Sequence, residues 1–215
     1  MTSRRVNIGC GATPTPGWLN LDSSWTIRAV RSRPLGVAFG AAGLLRGKHE
    51  YIEAIRRHDI QWADATNSLP LEDGGAEIVY TSHMVEHLTR TEAERFFAEA
   101  LRVLRPGGIL RVAVPDIDYH VDLYREHGDA NEFIAGLHMS SERPGSFVGK
   151  IRQVLVGERQ HHWMYNGQTL SSALKTAGFV KVGVLPAGST SISDPGELDL
   201  AERAPESVFV EAVKG

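Results

Sequence analysis

Short apolar runs alternate with amphipathic stretches along this chain. Val6 to Ile8, Trp18 to Leu21, Ile60 to Asp64, Glu77 to Ser82, Ile109 to Val114, Phe179 to Leu185 and Ser207 to Val213 are rich in β-branched or aromatic residues and bounded by turn formers, so they are predicted as strands. Helical spacing appears between them. Over 91–104, Ala93, Phe96, Phe97, Ala100, Leu101 and Leu104 recur on one face. Thr91 and Glu94 read as its capping box, and Arg105-Pro106-Gly107-Gly108 as its stop. Further helices are expected over Glu50 to Arg57, Tyr119 to His127, Asn131 to Met139 and Pro144 to Gln160. Asn166 caps another, which carries Leu170, Ala173, Leu174 and Ala177 and closes at Gly178. Strands alternating with helices imply an α/β fold, a doubly wound and mainly parallel sheet covered on both faces. The last two strands have only a long polar connection between them, 186–206, which predicts an antiparallel pair at one edge.

Two stretches break this rhythm. The first strand runs into Gly9-Cys10-Gly11-Ala12-Thr13-Pro14-Thr15-Pro16-Gly17, and ten residues separate Gly11 from Asp22. The prolines leave room for at most one helical turn. Glycines at a strand end let a backbone approach a ligand closely. The second and third strands end in acids, Asp22 and Asp64. In a doubly wound sheet ligands bind at the carboxyl ends of the strands, so the glycine turn and the two acids are expected to converge. The other break is 23–58. From Ser23 to His49 it holds five basic residues (Arg28, Arg31, Arg33, Arg46, Lys48) and no acid. It is expected to be an inserted helical cap. It either covers the sheet or acts as a lid whose arginines meet an anionic substrate or a membrane surface.

With these residues in place, the chain resembles the class I S-adenosylmethionine-dependent methyltransferases. Asn7-Ile8-Gly9-Cys10-Gly11 looks like that family's first motif, and Leu104-Arg105-Pro106-Gly107-Gly108 like its stop before the fifth strand. The resemblance implies a Rossmann-like seven-stranded sheet and S-adenosyl-L-methionine as cofactor. Gly9, Cys10, Gly11 and Ala12 would lie by the methionine end, Asp22 at the ribose, Asp64 and Ala65 at the adenine, and Ser82 and His83 along the methyl's path. Gly17-Trp18-Leu19-Asn20-Leu21-Asp22, His83-Met84-Val85-Glu86-His87-Leu88, His162-Trp163-Met164-Tyr165 and Glu206-Ser207-Val208-Phe209-Val210-Glu211-Ala212 also resemble small bacterial members associated with glycan and secondary-metabolite pathways. Two positions depart from the family pattern. Asn7 stands where an acid is usual, and Thr13 where many members have a third glycine.

Methyl transfer to oxygen usually needs a proton acceptor. His83, His87 and Asp116 are the catalytic candidates, with His161 and His162 behind them; Tyr119, Trp163 and Tyr165 would wall an acceptor pocket or belong to the core. No metal is expected. His83-Met84-Val85-Glu86-His87 is not the His-Glu-x-x-His order of zinc proteases, and neighbouring His161 and His162 point opposite ways in an extended chain.

Composition narrows the partners. The chain has 215 residues, 42% hydrophobic and 23% charged, with a formal charge of −3, values of an ordinary globular protein with no general attraction to nucleic acid. One cysteine excludes an intrachain disulfide and a cysteine-built metal cluster. No apolar run has signal-peptide or membrane-spanning length, so a cytoplasmic protein is expected, with at most a weak membrane-surface contact through 28–57. The expectation is a single methyltransferase domain over 1–215, with the cap at 23–58 and a substrate-side insertion near 129–165. It acts on a small-molecule or glycan acceptor at oxygen or nitrogen. A non-catalytic cofactor binder of the same fold is the alternative. A nicotinamide-dependent oxidoreductase fits less well, for it expects a third glycine and a full helix after the turn.

Overall fold

The computed structural model describes residues 4–139 and 160–215. Its strands are β1 (Arg4–Ile8), β2 (Leu19–Asp22), β3 (Ile60–Trp62), β4 (Ala76–Ser82), β5 (Leu104–Pro115), β6 (Phe179–Leu185) and β7 (Ser207–Lys214). They form one seven-stranded sheet in the order β3-β2-β1-β4-β5-β7-β6. β1 to β5 are parallel; β7 runs antiparallel between β5 and β6. This is the doubly wound, mainly parallel Rossmann-like sheet with an antiparallel C-terminal pair.

The helices are α1 (Trp25–Arg31), α2 (Arg33–Ala41), α3 (His49–Arg57), α4 (Arg90–Val103), α5 (Ile117–His127), α6 (Ala130–Gly136) and α7 (Gly167–Thr176). Two local expectations need correction. The capping box of α4 is Thr89 with Glu92, not Thr91 with Glu94. The two frames overlap, and the earlier start gains a backbone bond, Ala93 N–H to Thr89 O at 2.9 Å. The helix expected from Asn131 to Met139 ends at Gly136, because His138 turns to φ +51°. The helix expected over Pro144 to Gln160 lies outside the described residues except for Gln160.

The core follows the pleat of β5. Leu110, Val112 and Val114 join Val6, Ile8 and Val79 against Phe96, Phe97 and Ala100 of α4 and Leu170 and Leu174 of α7. On the other side, Trp18, Ile78 and Tyr80 pack against Ile192 and Leu198 from the connection 186–206. That connection is polar in composition, yet it acts as a strap over the sheet. Arg111, 0% exposed, holds it by donating to Ser189 O, Leu200 O and, at 2.7 Å, Glu211 Oε1. Glu211 also accepts from Thr190 Oγ1, Ser191 Oγ and, at 2.8 Å, Ser191 N–H.

The cap sits on β3 and the glycine turn. Ile27 of α1 and Ala54 and Ile55 of α3 bury Cys10 and Ile60, and α2 is clipped onto α1 through Phe39, Ala29 and Leu44. Arg28 stacks 3.6 Å over Trp62 and 4.6 Å from Trp25, and Arg31 pairs with Asp59 at 2.7 Å. These two cap arginines therefore serve cap packing.

Glu211→Ala strands a buried guanidinium and is expected to cost about 3–5 kcal/mol in urea unfolding. Burial pushes the Glu211 carboxyl up, but hydrogen bonds from Ser191, Thr190 and Arg111 outweigh it and leave it below its ordinary 4.5. The stability it lends is present above pH 4.5 and lost as pH falls through the lower folded value, so acid titration of the variant should show a shallower loss in that window. Equal stability of variant and parent would mean that the strap is held by something else.

Candidate active site

β1 ends at Ile8 and the chain turns at once, with Gly9 at φ +71° and Gly11 at φ +50°. A Cβ on Gly9 would stand 2.7 Å from Met84 Cγ, so only glycine allows the turn to press against the segment after β4. A Cβ on Gly11 would meet nothing within 4 Å, so that side of the turn is open.

Most amides of this turn are already engaged within the protein. Gly9 and Cys10 N–H both donate to Leu21 O, at 2.8 and 3.3 Å, and Gly11 N–H donates to Asp22 Oδ2 at 3.0 Å. Of the four amides in 9–12, only that of Ala12 has no partner among the described residues. The reason lies in register. β1 and β2 pair Ile8 with Leu21, so the end of β2 lies beside the turn and takes its donors.

Asp22 is a junction. Its Oδ1 accepts Ser24 N–H at 2.7 Å and the Tyr51 hydroxyl at 2.9 Å. Tyr51 comes from α3 in the cap and was not singled out from sequence. Burial, then the charge of Asp22, pushes its phenol up, so it stays a donor. Asp64 Oδ1 accepts both the amide and the hydroxyl of Thr66, at 3.0 and 2.8 Å. Ala65 is buried in the main core, which leaves its backbone as the part it can offer.

Two buried asparagines, also not singled out as site residues, shape the loop between β1 and β2. Asn7 Nδ2 donates to Thr15 Oγ1 at 3.0 Å and Thr13 O at 3.4 Å. Asn20 Oδ1 accepts Thr15 N–H at 2.8 Å, and its Nδ2 donates to Thr15 O and Trp18 O, each at 3.0 Å. The asparagine that replaces the family's usual acid at position 7 is thus a loop anchor.

At the end of β4, the Thr81 and Ser82 hydroxyls are buried without a hydrogen-bond partner among the described residues. His83 follows at φ +49°. Its Nε2 is 3.0 Å from Ser207 Oγ, and its Nδ1 is 3.3 Å from Glu86 Oε1. His87 Nδ1 is 2.8 Å from Gln160 O, and its ring lies 5.1 Å from that of His161. Burial pushes the His161 imidazole down to about 4 against the charge of Glu86. His162 is exposed.

The structure groups Gly9, Gly11, Asp22, Ser82 and His83 at adjoining strand ends. Asp116 follows β5, the neighbour of β4, and is the N-cap of α5, accepting Asp118 N–H at 3.1 Å, with burial holding its carboxyl above the usual range. The three aromatic candidates separate. Tyr165 joins the main core, Trp163 lies beside Arg90 in a groove between α4 and α7, and Tyr119 lies against α6.

These residues fit a sulfonium nucleoside. Gly11 leaves an open face, Asp22 Oδ2 has one accepted bond, and unpartnered hydroxyls stand at the neighbouring strand end. Asn20→Ala, which leaves the backbone N–H and C=O of Thr15 without their Asn20 partner, is expected to lower stability by about 2 kcal/mol by thermal or urea unfolding. An unchanged midpoint would show that the loop does not depend on this side chain.

The methyltransferase domain family matches residues 6–112. A probable S-adenosylmethionine-dependent methyltransferase of Mycolicibacterium smegmatis is 30% identical over 90 residues, 42% of this chain and 32% of that protein. An uncharacterized 37.1 kDa protein in transposon TN4556 of Streptomyces fradiae is 32% identical over 120 residues, 53% of this chain and 30% of that protein. The chain thus spans about a third of the length of these curated relatives. Among solved structures, an S-adenosylmethionine-dependent methyltransferase of Methanosarcina mazei shares the fold with a TM-score of 0.55 at 15% identity, over 100% of this chain and 93% of that one. Glycine turn, strand order and the match across 6–112 together lead to one conclusion: the chain carries a class I S-adenosylmethionine-dependent methyltransferase domain, and its cofactor is S-adenosylmethionine.

Proposed function

We propose that this chain methylates a small-molecule or glycan acceptor, at oxygen or nitrogen. The observation that carries the reading is the join of Gly11 N–H to Asp22 Oδ2 beside the unpartnered Thr81 and Ser82 hydroxyls, where β1, β2 and β4 end together. S-Adenosylmethionine supplies the electrophilic methyl, so the protein's work is to bind, orient and exclude water.

On this reading Asp22 accepts the ribose hydroxyls, with Tyr51 giving up its place on Oδ1. Asp64 and the Ala65 backbone serve the adenine, and Gly9, Cys10, Gly11 and Ala12 flank the methionine end. Ser82 and His83 line the path to the acceptor. His83 is the first candidate to hold a proton from an oxygen acceptor, since it follows β4 directly; His87 and Asp116 are the others. The acceptor class is supported by the resemblance to small glycan and secondary-metabolite enzymes and by the net charge of −3, which gives no general pull on nucleic acid. A non-catalytic binder is the second reading. The observation in its favour is Asn7, whose side chain is spent on Thr13 and Thr15.

Calorimetry with S-adenosylhomocysteine should show binding, and Asp22→Ala should weaken it about 10- to 100-fold, the worth of charged hydrogen bonds. No binding at millimolar ligand would sink both readings. A screen of acceptors by methyl-group release then separates them: turnover supports the enzyme, and its absence across glycans and small hydroxyl or amine compounds supports the binder. With an acceptor in hand, His83→Ala should lower turnover more than cofactor affinity. Turnover that survives would place the proton elsewhere.

A further inference from the structure

The turn after β4 buries a carboxylate that no described residue neutralises by hydrogen bonding. Glu86 is 1% exposed, yet among the described residues neither of its oxygens accepts a hydrogen bond. An ionised carboxylate in that position is costly unless a cation reaches it. Two imidazoles stand where a shared ion would need them. Ligand atoms of Glu86, His87 and His161 all lie within 4.8 Å of one another. His161 is 8% exposed and its Nδ1 has no hydrogen-bond partner among the described residues.

The surroundings hold these three groups in place. His87 Nδ1 lies 2.8 Å from Gln160 O, which leaves Nε2 for another partner. A ligating histidine typically spends its other nitrogen on a carbonyl in this way. His162 and Trp163 N–H both donate to Glu86 O, at 2.7 and 3.2 Å, and His161 N–H donates to His138 O at 3.0 Å. On the far side, His83 Nδ1 lies 3.3 Å from Glu86 Oε1, the kind of contact that orients a ligating carboxylate.

We propose that Glu86, His87 and His161 bind one divalent transition-metal ion of the zinc class. Two imidazoles and a carboxylate suit such ions, whereas magnesium and calcium take mainly oxygen ligands. Three protein ligands leave a tetrahedral ion one position, which water fills. If the methyl-transfer reading holds, an acceptor hydroxyl that replaces that water is made more acidic by the ion and passes its proton to His83, whose Nδ1 lies 3.3 Å from Glu86 Oε1. Only that last use rests on the proposed function; the ion site stands without it. In sequence, His83 with His87 and His161 with His162 stand as two separate pairs, neither with metal-ligand order. The structure joins one member of each pair to Glu86, so neither spacing describes the ligand set.

The full chain, stripped with a chelator and freed of any affinity tag, is titrated with cobalt(II) and followed by visible absorption and calorimetry. One cobalt per chain is expected, displaced by zinc. Glu86→Gln and His161→Ala should each weaken cobalt binding by more than about 100-fold, above the loss expected for a merely supporting group. Both should keep their affinity for S-adenosylhomocysteine, and His127→Ala, an exposed histidine beside Glu132, should change nothing. A parent chain that takes up no cobalt at about 1 mM, or variants that bind it as the parent does, would overturn the site. Cobalt binding without S-adenosylhomocysteine binding would keep the ion site and remove the methyl-transfer reading.

Discussion

Parallel strands need a crossover, and a helix normally supplies it. Between β1 and β2 this chain has ten residues, two prolines among them, and no helix. The bond from Gly11 N–H to Asp22 Oδ2 is what this constraint demands. With no helix to accept them, the donors of the turn go to the nearest acceptors, and parallel register makes those Leu21 O and Asp22. Asn7 and Asn20 complete the arrangement from below by bonding the loop they bracket. The acid expected at the ribose is thus preorganised by the same contacts that replace the missing crossover helix.

That economy reaches the cap. Tyr51 bonds Asp22 from α3, while Ile27 and Ile55 bury Cys10 in the middle of the glycine turn. Strand end, turn and cap are therefore one packed unit. The stacking of Arg28 on Trp62 and the pairing of Arg31 with Asp59 draw basic side chains of this segment into cap packing.

The far half of the sheet serves the site differently. Arg111 and Glu211 cross from β5 to β7 and hold the strap 186–206 over one face. The strap leads into β7, whose first residue, Ser207, meets His83 at 3.0 Å. His83 then faces Glu86, and Glu86 faces His87 and His161. A charge pair deep in the sheet, the turn after β4 and the segment 160–163 are so joined through the backbone of the strap and the side-chain contacts that follow it.

Much of this was legible in the chain itself. Alternating apolar runs mark all seven strands, because a strand buried on both faces must be apolar and a turn must carry glycine, proline or asparagine. The glycine turn and Asp22 were legible for the same reason: each lies at a strand end, and strand ends in a parallel sheet converge; Asp64 lies beyond the end of β3 at Trp62. Local pattern also marked the helices, but it did not choose between the overlapping frames of Thr89 and Thr91. What escaped it is every contact made across the fold. Tyr51 on Asp22, Ser207 on His83 and His161 beside Glu86 and His87 join residues far apart in sequence, and no periodicity encodes such pairs. Sequence determines the period of each element and the residue at each end; only packing decides which ends meet, because burial, not spacing, fixes which polar groups must find one another.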